Sequence, residues 1–347
     1  MPLDLEGLVG VVLGEFPVDV SSTEPVDIVG DAARVFEVDP GRSPLIPVGA
    51  EVGAPYILDT EAGREVACHP HIVGLELERL CLESARAFWG VLEGLGLCRL
   101  EESAVLHILR GGSGYMVADA LPVKVPIVRV RTEYRGDGYR THSDDGRRIK
   151  VTFSDFSGWD RVSTLLVPDT YATGRSAEAA LGELFASGFS PDRIVLYGFI
   201  AIPALLRVGA LCSEGGVELF SFAICDIAQL ARNNYDMPLY GFDESFHAST
   251  GGLNRLGSIV DLDTLRGLLP KYVAGLDQPG DWSERQRRLF NGFGDEAGDI
   301  VGHLRKSIGL IESLREMNSE QPWYDGFHDD IAEDELEKLR VTMGKYE

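Results

Sequence analysis

The sequence predicts an α/β protein built on a doubly wound, mostly parallel sheet. Three observations carry that reading. Strand-length apolar runs alternate with helical periods through the middle of the chain. The runs are continuously apolar, as expected of strands covered on both faces. One of them ends in Pro168 and Asp169, and a small-residue turn then opens an alanine-rich helix, all within residues 165–181. That arrangement wraps backbone N–H groups and hydroxyls around a phosphate at a helix N-terminus.

The elements follow in order. Residues 1–68, rich in Val, Pro, Gly and Asp with short alternating runs at 33–38 and 56–58, read as strands and turns, a β-rich N-terminal accessory segment. His69 and His71 flank Pro70, which reads as a turn starting a helix rather than as a metal pair. Val73, Leu77, Leu80, Phe88, Leu92 and Leu95 recur at helical spacing, and Gly94 and Gly96 close that helix. Residues 104–109 read as a strand, 114–121 as a short helix and 127–131 as another strand. A polar arm spans 132–160, with turn chemistry from Arg135 to Gly138 and a hairpin tip at Asp144-Asp145-Gly146. Strands follow at 164–167, 194–200 and 217–224, separated by helices near 176–187 and 204–212. Residues 283–317 and 331–343 read as Arg- and Glu-rich helices of a C-terminal extension. The domain boundaries expected are therefore 1–68, 69–249 and 250–347.

Composition narrows the function. At 347 residues with 44% hydrophobic content the chain is long and apolar enough to bury a substantial core. A formal net charge of −23 argues against nucleic acid as a partner, since a phosphate backbone demands an excess of Lys and Arg. Asp4 and Glu6 stand where a secretory signal would be basic, and the longest apolar run, 194–206, is too short to cross a bilayer and holds Gly198 and Pro203. The expectation is a cytoplasmic protein without a membrane partner. Five cysteines without C-x-x-C spacing read as reduced, mostly buried thiols, and no metal site is expected among the side chains.

Four segments carry a resemblance. They are His69-Pro70-His71-Ile72, HILRGGSGYMVADAL (107–121), LLVPDTYATGRSAEAAL (165–181), and the stretch from YGFIAIPALL (197–206) through FSFAICD (220–226) to NNYDMPLYGFDES (233–245). In order and register they resemble the type I phosphoribosyltransferases, most closely the uracil phosphoribosyltransferases, over residues 69–247. The resemblance implies transfer of the 5-phosphoribosyl group of its 1-diphosphate (PRPP) to a nucleobase, uracil or similar, with release of diphosphate. It also implies a role in nucleotide salvage, Mg²⁺ held mainly through the PRPP diphosphate, small-molecule partners, and a homodimer or larger homo-oligomer.

By the same resemblance Arg110, the Gly111 and Gly112 amides, and Arg131 with Glu133 nearby would clamp the diphosphate; Arg135 is a looser candidate. Asp169 would hold a ribose hydroxyl. Thr170, Tyr171, Ala172, Thr173, Gly174, Arg175 and Ser176 would hold the 5′-phosphate. The turn Tyr235–Gly241, with Met237 and Gly241 in it, would present main-chain groups to the base, with Asp226 and Asp243 beside it. Such a clamp suits the chemistry, because breaking the C1 bond builds negative charge on the leaving diphosphate. The residues by themselves also admit plainer roles. The Thr173–Ser176 turn can be ordinary N-capping, Arg110 a salt-bridge partner, and Asp226 a cap of the next turn. The chain departs from the family in placing Pro168 before Asp169, Arg175 for a glycine, and Leu239 and Tyr240 in the base turn. That departure leaves a second expectation open, a non-catalytic regulatory member that binds PRPP or a nucleotide.

Overall fold

A computed structural model describes residues 4–28, 33–135, 148–157, 159 and 162–347. The turns expected at 136–138 and 144–146, and the Arg135 side chain, lie outside the described residues. The N-terminal elements are α1 (Leu5–Glu15), β1 (Thr23–Pro25), β2 (Arg34–Val38), β3 (Ala54–Asp59) and α2 (Glu61–Cys68). The central ones are α3 (Gly74–Gly94), β4 (Ser103–Leu109), α4 (Val117–Ala120), β5 (Ile127–Arg135), β6 (Arg148–Asp155), β7 (Thr164–Pro168), α5 (Arg175–Ala186), β8 (Arg193–Ala201), α6 (Ile202–Gly215) and β9 (Glu218–Ala228). The C-terminal ones are β10 (Gly241–Phe242), α7 (Glu244–Thr250), β11 (Arg255–Leu256), β12 (Ser258–Ile259), α8 (Leu262–Leu268), β13 (Leu289–Phe290), β14 (Asp295–Glu296), α9 (Ile300–Ser319) and α10 (Gly326–Tyr346).

Ten strands form one sheet in the order β1-β2-β3-β9-β8-β7-β4-β5-β6, with β12 antiparallel to the end of β9. The run from β3 to β5 is parallel throughout, and β1, β2 and β6 add antiparallel edges. Successive residues of a parallel strand feed opposite layers. Leu165 and Val167 pack with α5 and α6, whereas Leu166 packs on the other face with Leu77 and Phe88 of α3. The expected α/β fold with a mostly parallel sheet is thus the observed one, and its continuous apolar strands are continuous because both faces are covered.

The N-terminal reading needs correction. Residues 5–15 form a helix, started by Asp4, whose carboxylate accepts from the Gly7 N–H at 3.0 Å. Leu8, Val9 and Val12 point into the core at helical spacing, so tertiary burial overrides the strand preference of the Val-rich composition. β3 is also no appendage, since it pairs in parallel with β9 inside the main sheet. The helix expected over 283–317 begins only at Ile300. Before it, β13 and β14 form a hairpin whose turn Asn291 closes by accepting the Phe293 and Gly294 N–H groups at 2.8 and 3.0 Å.

The last hundred residues complete one helical layer. Leu304, Ile311 and Leu314 of α9 and Leu336 and Leu339 of α10 lie in the same apolar cluster as α3. Arg285 locks this arrangement. It is fully buried and donates to the carbonyls of His69 (3.0 Å), Ile72 (3.1 Å) and Pro279 (3.0 Å), tying the 278–285 segment to the start of α3. All five cysteines are free thiols. Among the described residues no helix is long and apolar enough to cross a membrane.

Candidate active site

The carboxyl ends of β4, β5 and β7 open on one cleft of about 580 Å³. Ligands of open α/β sheets bind at such ends. Arg110, Gly111, Arg131, Glu133, Asp169, Thr170, Ala172, Ser176 and Tyr235 line it, so the structure brings together residues far apart in the sequence.

The loop after β7 forms one wall. Pro168, the last residue of β7, needs no donor of its own where the ladder ends. Asp169 and Tyr171 then run along β8, donating their N–H groups to the carbonyls of Tyr197 (3.0 Å) and Phe199 (2.8 Å). β8 can come this close only because residue 198 is glycine. A Cβ there, at φ +145°, would stand 2.0 Å from the Asp169 carbonyl oxygen. Gly174 turns the chain into α5 at φ +75°, packed against Ala204 of α6. Arg207 holds the Thr173 carbonyl at 2.9 Å. Among the described residues no side chain caps α5. Thr173 and Ser176 therefore do not serve as ordinary N-caps, and the first-turn amides keep their positive end toward the cleft.

Asp169 is buried beside this loop, and burial pushes its carboxyl up to about 8, against a hydrogen bond from the Thr170 backbone that lowers it. The Thr170 hydroxyl in turn bonds the Tyr115 hydroxyl at 2.5 Å. A buried carboxyl shifted this far, in a cleft, is a candidate functional group.

The opposite wall is different. Arg110 follows a cis Leu109–Arg110 peptide, and a turn over Gly111–Tyr115 succeeds it. A Cβ on Gly112 would lie 2.8 Å from the Pro168 carbonyl, so the two loops meet backbone to backbone. The Arg110 guanidinium is held by two carboxylates of the C-terminal segment, Glu284 and, at 2.8 Å, Glu296. Hydrogen bonding from Arg110 keeps Glu296 below the usual carboxylate range. Arg131 donates to the Asn291 carbonyl at 2.6 Å and pairs with Glu133 at 2.9 Å. Trp282 stacks on Tyr115 with ring centroids 4.2 Å apart and donates to the Gly111 carbonyl at 3.1 Å. Glu284, Glu296, Trp282 and Tyr115 are the participants that sequence reasoning missed. Nothing local marks them, because the two glutamates reach Arg110 across 174 and 186 residues.

The expected base-binding turn is also committed elsewhere. Met237 donates its N–H to Asp277 at 2.9 Å, Leu239 donates to the Tyr272 hydroxyl at 3.0 Å, and Gly275 donates to the Tyr240 carbonyl at 2.8 Å. Gly241 packs against Gly275, where a Cβ would fall 2.2 Å from the Gly275 nitrogen. Asp243 caps α7, accepting from the Phe246 N–H (3.0 Å), the Ser245 hydroxyl (2.6 Å) and the Arg232 N–H (2.8 Å). Asp226 is buried, and burial pushes its carboxyl up to about 7. Of the residues expected around a base, only Tyr235 lines the cleft; Met237, Gly241, Asp226 and Asp243 do not. Residues 272–278, absent from the four-segment pattern, cover the turn.

No family model matches the chain, and no curated protein sequence matches it. Among solved structures it is similar to an adenine phosphoribosyl transferase from Trypanosoma brucei, crystallised with AMP, pyrophosphate and ribose-5-phosphate. That match is 19% identical, spans 41% of this chain and 63% of that one, and has a TM-score of 0.27. The chain is also similar to an orotate phosphoribosyltransferase from Aeropyrum pernix (23% identical, 42% of this chain, 76% of that one, TM-score 0.28). A phosphoribosyltransferase from Corynebacterium diphtheriae is 20% identical over 47% of this chain and 96% of its own, with a TM-score of 0.28. Each match spans less than half of this chain.

Proposed function

We propose that this chain is a PRPP-dependent phosphoribosyltransferase, with the loop 169–176 as the seat of the 5′-phosphate and Asp169 as the partner of the ribose hydroxyls. The observation that carries the reading is the start of α5, capped by no side chain among the described residues, opening on a cleft beside the buried Asp169 carboxyl. Loop amides with the Thr173 and Ser176 hydroxyls would bind the monoester dianion. Asp169 would orient the ribose, so that the C1 bond to diphosphate faces Arg110 and Arg131. Those guanidiniums would receive the charge that develops on the leaving group. Asp169 is the side chain suited to Mg²⁺ carried in on the diphosphate, and such an ion would supply further neutralisation of the leaving group. The acceptor is a base nitrogen, uracil or a similar ring. With the Tyr235–Gly241 turn covered, Tyr235 is the residue of that turn left to meet it.

A second reading rests on one observation, the pairing of Arg110 with Glu284 and Glu296. Two carboxylates already stand where a diphosphate would be clamped, which favours a regulatory binder of a sugar or nucleotide monophosphate. Calorimetry with PRPP, Mg²⁺ and nucleoside monophosphates, together with diphosphate release on adding a panel of bases, separates the two. Turnover with any base supports the transferase; monophosphate binding without turnover supports the regulator. Binding of none of these ligands overturns both.

A further inference from the structure

The turn before α3 meets the C-terminal helix α10. The side chains of His69 and His71 both aim their Nδ1 atoms at one carboxylate, that of Glu335 in α10. His69 reaches Oε2 at 2.8 Å and His71 reaches Oε1 at 2.7 Å. The Glu335 side chain is 1% exposed, and among the described residues these two imidazoles are its only ion-pair partners. One candidate ligand atom from each residue lies within 4.8 Å of the others.

We propose that His69, His71 and Glu335 form a binding site for a divalent transition-metal ion, zinc first, that staples α10 to the start of α3. Two imidazoles and one carboxylate are a donor set that suits zinc, with water in the fourth position. The surroundings of His69 suit a metal-bound imidazole. Its other nitrogen, Nε2, faces Glu65 Oε2 at 3.7 Å, and Lys271 fixes Glu65 from 2.5 Å. With a metal on Nδ1, Nε2 carries the proton and donates toward Glu65. Carboxylates commonly orient metal-bound histidines in that way. At bond lengths near 2.0–2.1 Å a tetrahedral ion spreads its ligands to about 3.3 Å. The observed contacts must therefore open by roughly 0.5 Å, a small motion for side chains at a helix start and on a C-terminal helix. Sequence alone offered only His69 and His71; the third ligand lies 264 residues beyond His71.

The test uses the full-length chain stripped with chelator and titrated with zinc by calorimetry, with cobalt as a spectroscopic stand-in. The expected result is one equivalent bound, a tetrahedral cobalt spectrum, and a rise in melting temperature that chelator reverses. His71→Ala, which alters a partly exposed side chain, should abolish binding while the chain stays folded by circular dichroism. Glu335→Gln should do the same, and Glu65→Gln should weaken binding about tenfold. Asp169→Asn should bind zinc as the wild type does, which separates this site from any cation in the cleft. No zinc-dependent change in the wild type, or wild-type binding by His71→Ala, overturns the proposal; so does loss of binding in Asp169→Asn.

Discussion

The two walls of the cleft are built from the same sheet yet left in opposite states. On the β7 side, no side chain among the described residues caps the α5 start, and burial raises the Asp169 carboxyl. On the β4–β5 side, Arg110 and Arg131 are satisfied by Glu284, Glu296 and the Asn291 carbonyl from the C-terminal segment. The difference teaches that one sheet can leave one loop open while the fold supplies counter-charge to the arginines of another. Under the proposed function a phosphate would meet an open wall, and a diphosphate would have to compete for the other.

That contrast can be broken from either side. The largest effect is expected from Asp169→Asn, which should abolish any PRPP-dependent turnover or thermal shift; unchanged behaviour would show that the open wall is not the site. Next comes Arg285→Ala, which strips buried carbonyls of their donor and should cost about 3–5 kcal/mol in urea unfolding. It should also loosen the segment that carries Glu284.

A pH series sharpens the comparison further. Burial raises the Asp169 carboxyl to about 8 and the Asp226 carboxyl to about 7. A raised carboxyl contributes stability that is fully present below the ordinary carboxylate value and lost as pH climbs through the folded one. Between about 4 and 8, Asp169→Asn should therefore flatten the decline in stability, and above pH 8 the variant should melt higher than the wild type although it is inactive. Parallel pH curves for the two proteins would contradict the assigned burial. The smallest effect belongs to the paired wall. The double variant Glu284→Gln, Glu296→Gln should lose only about 0.5–1 kcal/mol per partly exposed ion pair. Its affinity for diphosphate should rise about tenfold, roughly the 1.4 kcal/mol of one relieved competitor. No gain in affinity would mean that the two glutamates do not compete with the ligand.

Much of the central architecture was legible in advance, and the reason is local. Continuous apolar strands such as 164–168 and 193–201, and glycine turns such as Gly174, state their structure in a few consecutive residues. The same locality made the wall around Asp169 readable. It failed for α1, where burial of Leu8, Val9 and Val12 outweighed composition, and for residues 283–299, where Asn291 closes a hairpin instead of continuing a helix. It did not extend to the turn at Met237 and Gly241, where the Met237 N–H donates to Asp277 and Gly241 packs against Gly275.

The sequence by itself determined the alternation of strand and helix and the small-residue loop after Asp169, because both depend on neighbours along the chain. Tertiary structure alone decided which side chains meet Arg110, what covers the turn at Met237, and that Glu335 stands between His69 and His71. Those contacts join residues some 40 to 270 positions apart. Their energies come from burial and charge pairing in a packed core, which no stretch of sequence holds until the layers close.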